Sequence, residues 1–288
     1  MRTFVTGTLL IALTLYPAVT HAEDADAALK RIEANKSVTI GFRESAAPFA
    51  FLNKEQKPDG YSIAICNHIA AAIGAKLKIE NLQIKYVPIS PQTRIPLIAN
   101  GTVDIECGTT VISLARQQQV DFTYPVALAE GRLLVRKGSG IKSLADLDGK
   151  IVAVASGTTA ERYVPVALTA GKLSARILQV RDNSEGLLTV SSRRADAFIN
   201  DAILLGGALH AAVNKDDFEV AGEPLSFEQV AFMAAKNNSG LLTIANQTIA
   251  RMLTSGEMAA LYNQWVSPLG APISGEVAAL FKVNAIPE

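Results

Sequence analysis

Apolar residues alternate in "SVTIGF" (37–42), where Val38, Ile40 and Phe42 fall on one side of an extended segment, the period-2 pattern of a strand. The period changes in "YSIAICNHIAAAIGAKL" (61–77). There Ile65, Ile69 and Ile73 recur at helical spacing, and Gly74 reads as a stop. A helix is predicted before the first strand, at "DAALKRIEANK" (26–36). Strands follow at "QIKYVPI" (83–89) and "VDIECG" (103–108), with a short helix between them at "TRIPLIANG" (93–101).

The alternation restarts downstream. "KIVAVASGTTAERY" (150–163) reads as strand, turn and helix. "ARILQV" (175–180) and "ADAFIND" (195–201) read as strands, and "EGLLTVSSRR" (185–194) and "AILLGGALHAAV" (202–213) as helices. Alternating strand and helix is the signature of a parallel α/β sheet, and two such runs suggest two lobes. Between them "DFTYPVALAEGRLLVRKG" (121–138) is extended and contains Gly131, a suitable place for a crossing. The stretch 241–266 is helical again, with Trp265 near its end.

Composition narrows the function classes. Arg2, the apolar run "FVTGTLLIALTLYPAV" and "THA" read as a secretory signal peptide, residues 1–22, cut after Ala22. The alternative is an anchor left in place, but the run is short and Pro17 interrupts it. The chain carries 27 Lys+Arg and 27 Asp+Glu. A balanced charge with no basic run argues against nucleic acid and anionic membrane as partners. Cys66 and Cys107 are too far apart for a Cys-x-x-Cys redox motif. An oxidising compartment would permit a disulfide, and two buried free thiols fit the apolar flanks equally. The three histidines have no metal-ligand spacing, so neither a metal nor a cofactor is expected.

In open α/β sheets ligands lie beyond the carboxyl ends of the strands. The first run of elements places Arg43, Arg94 and "GTTVISLAR" (108–116) there. The second places "SGTTAE" (156–161), Asp182–Asn183 and Asp201. The Ser-Gly-Thr-Thr turn is a ready anion site at a helix start, or else simple capping by Thr158 or Thr159. Ser113 could cap a helix carrying Arg116 in its first turn, where a cation opposes the helix dipole. Three arginines at one cleft edge would repel one another without partners, and guanidinium binds carboxylate bidentately. Asp201, on the opposite side, suits an ammonium. A small ligand with two carboxylates and one ammonium fits the set: an acidic amino acid.

These stretches resemble a known family. "GFRESAAPFAF", "GYS" (60–62), "PISPQTRIPLIANGTVDIECGTT", "ARQQQVDFTYP", "IKSLADLDGKIVAVASGTTAE", "DAFINDAILL" and "TSGEMAALYNQW" look like the periplasmic solute-binding proteins of polar amino-acid ABC importers, and specifically their glutamate/aspartate-binding subgroup. The resemblance runs in order over nearly the whole chain after residue 22. It implies a two-lobed periplasmic binding fold (type II-like), each lobe a sheet flanked by helices, joined by two crossing hinge strands. Residues 23–128 with 230–288 would form the first lobe, and 129–229 the second, inserted one.

The resemblance also implies roles. Arg116 and Thr159 would hold an α-carboxylate. Asp201, helped by Thr109, would take the α-ammonium. Arg43 and Arg94 would read the side-chain carboxylate, with Asn183 nearby. Pro91, Val111 and Asn183 stand where the family leads one to expect serine, threonine and histidine, which leaves the order of glutamate and aspartate open. The implied protein is a periplasmic monomer that passes its ligand to an inner-membrane permease and catalyses nothing. The competing reading is an enzyme on the same scaffold, similar to periplasmic cyclohexadienyl or arogenate dehydratases, with Glu44 as proton donor.

Overall fold

The computed structural model describes residues 26–287; the expected signal segment, 1–22, lies outside them. Helix α1 (Ala27–Asn35) leads into strand β1 (Ser37–Phe42). The short strands β2 (Ser45–Ala46), β3 (Ala50–Leu52) and β4 (Pro58–Asp59) form a separate antiparallel sheet. Two or three residues are too few to show a period, so this small sheet was not foreseen. Helix α2 (Tyr61–Leu77), strand β5 (Gln83–Pro88), helix α3 (Arg94–Ala99), strand β6 (Ile105–Val111) and the one-turn helix α4 (Leu114–Gln117) follow.

Strands β7 (Val120–Phe122) and β8 (Ala127–Arg136) carry the chain onward. Then come β9 (Ile151–Ala155), α5 (Ala160–Ala170), β10 (Arg176–Val180), α6 (Asn183–Ser191), β11 (Ala197–Asp201) and α7 (Ala202–Ala211). The long strand β12 (Phe218–Ala235) returns, and helices α8 (Ser239–Ser255), α9 (Glu257–Trp265) and α10 (Gly275–Asn284) complete the described chain.

The main sheet runs β10-β9-β11-β8-β12-β6-β1-β5, with β7 also paired to β12. Strand β1 is parallel to β5 and β6, and β9 is parallel to β10 and β11. Strands β8 and β12 pair antiparallel with each other, with β11 and with β6. Two parallel groups are thus joined by one antiparallel pair. Gly131, read as part of a crossing, sits in β8 opposite both Asp201 and Ser226.

The apolar cores follow this division. One cluster gathers buried residues from 28–129 and 230–281, together with Ile203 and Leu204 of α7. Two others lie within 133–225 and 134–220, and a fourth surrounds Ile98 and Met233. Cys66 of α2 and Cys107 of β6 form a disulfide, which decides between the two readings of the cysteines. Cross-linking through a 41-residue separation stabilises chiefly by restricting the unfolded chain, by about 2–4 kcal/mol.

Two expectations need correction. Gly74 does not stop α2; it is a buried interior residue, and the helix runs on to Leu77. Lys78, in the left-handed conformation, ends it, with its N–H turned back to Ala75 and Gly74 carbonyls. The helical stretch 241–266 is two helices, broken at Gly256 with φ 83°, a backbone angle that favours glycine.

Candidate functional site

One wall of the central cavity is built from arginines. Arg43 follows β1, Arg94 opens α3, and Arg116 lies in α4; each is no more than 4% exposed. Ser113 caps α4 as expected, its hydroxyl accepting the Arg116 N–H at 3.3 Å. That cap fixes the backbone from which Arg116 reaches the cavity. Arg116 Nη1 donates to the Val111 carbonyl at 2.7 Å, and Arg94 Nη1 to the Thr110 hydroxyl at 2.7 Å. The Nη2 groups of both donate to one acceptor, the Gly157 carbonyl, at 3.0 Å each.

Burial disfavours the charged form and lowers all three. Arg94 is pushed down to about 10, with Glu106 opposing the shift and Arg43 adding to it. Arg116 falls to about 9, with repulsion from Arg94 and Arg162 the next causes. Arg43 is lowered by burial against attraction from Glu106, Asp182 and Asp201. All three remain cations at neutral pH.

The facing wall comes from the other group of strands. In the Ser-Gly-Thr-Thr turn Gly157 has φ 78°, and a Cβ there would lie 2.5 Å from the Pro91 carbonyl. Only glycine permits both the angle and the approach. The two threonines of this turn have different partners. Thr158 Oγ1 lies 3.4 Å from the Glu161 N–H, and the Glu161 carboxylate accepts from the Gly157 N–H at 2.8 Å. This is close to a capping box but displaced by one residue, since the carboxylate returns to Gly157 and not to Thr158. Thr159 is left free of that duty, and its hydroxyl donates to Glu228 at 3.0 Å.

Asp201, the last residue of β11, is pushed up to about 7. Burial is the main cause and Glu228 the second, while the three arginines pull the other way. Asn183 opens α6 and is buried. Its Nδ2 donates across the cavity to the Ser45 carbonyl at 3.0 Å, and its Oδ1 accepts from Asn200 at 2.6 Å.

All seven residues singled out from the sequence line this one cavity. Tyr163, Asn200 and Glu228 line it too and were not foreseen. Tyr163 lies four residues after Thr159, so helical spacing could have found it. Asn200 falls on the same strand end as Asp201. Glu228 sits in β12, whose weak alternation hid the strand. Glu44 is exposed and lies outside the lining, which removes the proton donor of the enzyme reading. Among the described residues no group of three or more side chains could hold a metal ion.

A cavity of fixed charges between two halves of a sheet is suited to holding a small charged solute. The model of the bacterial extracellular solute-binding proteins, family 3, matches residues 38–268. The chain belongs to that family. It is a solute-binding protein, not an enzyme, and its fold is the two-lobed α/β fold of periplasmic binding proteins. A glutamate/aspartate import solute-binding protein of Salmonella typhimurium is 37% identical, over 96% of this chain and 95% of its own. An L-glutamate/L-aspartate-binding protein of Pseudomonas aeruginosa is 36% identical, over 88% and 85%. Among solved structures, a solute receptor for L-cysteine of Neisseria gonorrhoeae superposes with a TM-score of 0.74 at 24% identity. It covers 87% of this chain and 98% of its own, and speaks for the fold alone. No helix among the described residues is long and apolar enough to cross a membrane.

Proposed function

We propose that this protein is the periplasmic binding component of an amino-acid ABC importer and that its ligand is an acidic amino acid, glutamate or aspartate. One observation carries the reading: three buried guanidinium groups face Asp201 across a single cavity. Two carboxylates and one ammonium balance that set. The names of the two relatives above agree with it.

In this reading Arg116 and Thr159 hold the α-carboxylate, and Asp201, with Thr109, holds the ammonium. Arg43 and Arg94 hold the side-chain carboxylate. Arg94 and Arg116 would exchange their shared acceptor, the Gly157 carbonyl, for ligand oxygens. A carboxylate can take two parallel bonds from a guanidinium and carries the opposite charge, where the carbonyl takes one bond and carries none, so the exchange favours the ligand. Asn183 serves both as lining and as a tie between the walls. Residues 23–128 with 230–288 form one lobe and 129–229 the other, with β8 and β12 as the hinge. Closure excludes water and strengthens each pairing. A monomer would then dock on its permease.

Calorimetry of the stripped protein against a panel of amino acids tests the proposal. Glutamate and aspartate should bind more tightly than glutamine, asparagine, arginine and cystine. Tighter binding of a neutral or basic amino acid would overturn the acidic assignment.

A further inference from the structure

Beneath the arginine wall lies a carboxylate that the functional reading does not use. Glu106 is the second residue of β6, and its exposure is 0%. The strand's alternation puts Glu106, Gly108 and Thr110 on one side, opposite Cys107, Thr109 and Val111. Gly108 makes room for the acid: a Cβ there would lie 2.2 Å from Glu106 Oε1 and 3.2 Å from Arg43 Cγ. The Arg43 stem and the Glu106 carboxylate therefore meet over the same glycine. On the same side, Thr110 accepts from Arg94 Nη1 at 2.7 Å.

Neither oxygen of Glu106 has a well-aligned hydrogen bond, although the Thr110 hydroxyl lies near enough to favour its ionised form. Arg94 Nε is likewise buried and unpaired. Each of these two residues is the other's strongest charge interaction. Attraction from Arg94, Arg43 and Arg116 opposes the effect of burial, which raises Glu106. An acid so placed costs stability in a neutral core. Among three buried cations it has an electrostatic purpose.

We propose that Glu106 is a specificity-determining residue: an internal carboxylate, not in contact with ligand, that offsets one of the two positive charges of Arg43 and Arg94. That end of the cavity is left with one net charge, enough for one side-chain carboxylate and not so much that a neutral amide is excluded outright. The size of the preference for acid over amide is thus set by Glu106. The inference rests on the reading of Arg43 and Arg94 as the side-chain carboxylate site.

The test is the ratio of glutamate to glutamine affinity in wild type, Glu106→Gln and Arg43→Met, measured at one pH near 7.5. Glu106→Gln keeps the shape and removes the charge that repels a ligand carboxylate. The ratio should rise about tenfold or more, because a buried charge still acts on its neighbours at an effective protein dielectric of about 20. Glu106→Asp withdraws the carboxylate by one methylene and should move the ratio the same way by less. This second variant carries the test if the first does not fold. A merely structural Glu106 would weaken both ligands alike and leave the ratio unchanged, and that result, or a fall in the ratio, overturns the proposal. Arg43→Met separates the two claims. If it lowers the ratio while the Glu106 variants leave it alone, the role of Glu106 is wrong and the site reading stands. If Arg43→Met leaves the ratio alone, the site reading itself is wrong.

Discussion

The two walls of the cavity solve different problems. The wall built from residues 43–116 is cationic and dry: Arg43, Arg94 and Arg116 are each 3–4% exposed, and their positions are set by a strand end and two helix starts. The wall built from 158–228 is acidic and hydroxylic, with Thr159, Asp201 and Glu228 only partly buried. The first wall holds like charges together and needs anions. The second brings two acids near each other and needs a cation; Asp201 is raised to about 7 by burial first and by Glu228 second. A solute carrying both signs relieves both walls at once, which gives closure a reason to depend on the ligand.

The contrast is broken most severely by removing one charge from each wall. Arg116→Ala and Asp201→Ala should each nearly abolish binding of every amino acid, since each would leave a ligand charge buried and unpaired, at a cost of about 2–5 kcal/mol. Calorimetry checks this. Near-normal affinity in either variant would remove that residue from the site.

Acid should weaken the second wall next. A ligand ammonium favours ionised Asp201, whose pKa in the free protein is about 7. Below that value binding must expel a proton, so affinity should fall by about tenfold per pH unit as pH drops from 7 towards 5.5, and be flat above about 7.5. For the free protein the sign reverses. A carboxylate raised above its ordinary value is more comfortable protonated, so its penalty on stability should shrink as pH falls through 7. The binding effect is read from affinity against pH and from proton release in buffers of different ionisation enthalpy.

The smallest expected change is in the tie between the walls. Asn183→Leu removes the bond to the Ser45 carbonyl and the partner of Asn200. Losing a hydrogen bond worth about 0.5–1.5 kcal/mol should speed release of glutamate and aspartate by the same factor, roughly 2- to 12-fold. Stopped-flow release kinetics would show it. Unequal effects on the two ligands would make Asn183 a direct reader of the side chain.

The walls also differ in how far the sequence revealed them. Arg43, Arg94, Arg116, Thr159, Asn183 and Asp201 could be placed because each sits at or next to a clear element end, where α/β topology collects ligand contacts. Glu228 escaped because β12 carries exposed Phe227 and Glu219 among its apolar residues and so lacks a clean period. Glu106 escaped for the opposite reason. In "VDIECG" it reads as the outward residue of a half-buried strand, yet all seven residues of β6 are buried. Only the packing of α3 and Arg43 over that side shows that its polar position is interior. Thr158 and Thr159 are told apart only by their hydroxyl partners, the Ala155 carbonyl for Thr158 and Glu228 for Thr159.

Arg43 follows the first strand of the sheet and tests the central claim most directly. If the arginine wall reads a side-chain carboxylate, Arg43→Met should keep much of the apolar stem and lose the charge. Glutamate would then be buried beside Arg94 without its second cation, at a cost of about 2–5 kcal/mol, or roughly 30-fold to several-thousand-fold in affinity. Glutamine brings no such charge and should lose far less. The measurement is the ratio of glutamate to glutamine affinity in wild type and in Arg43→Met. A collapse of that ratio is the predicted result, and an unchanged ratio would contradict the account.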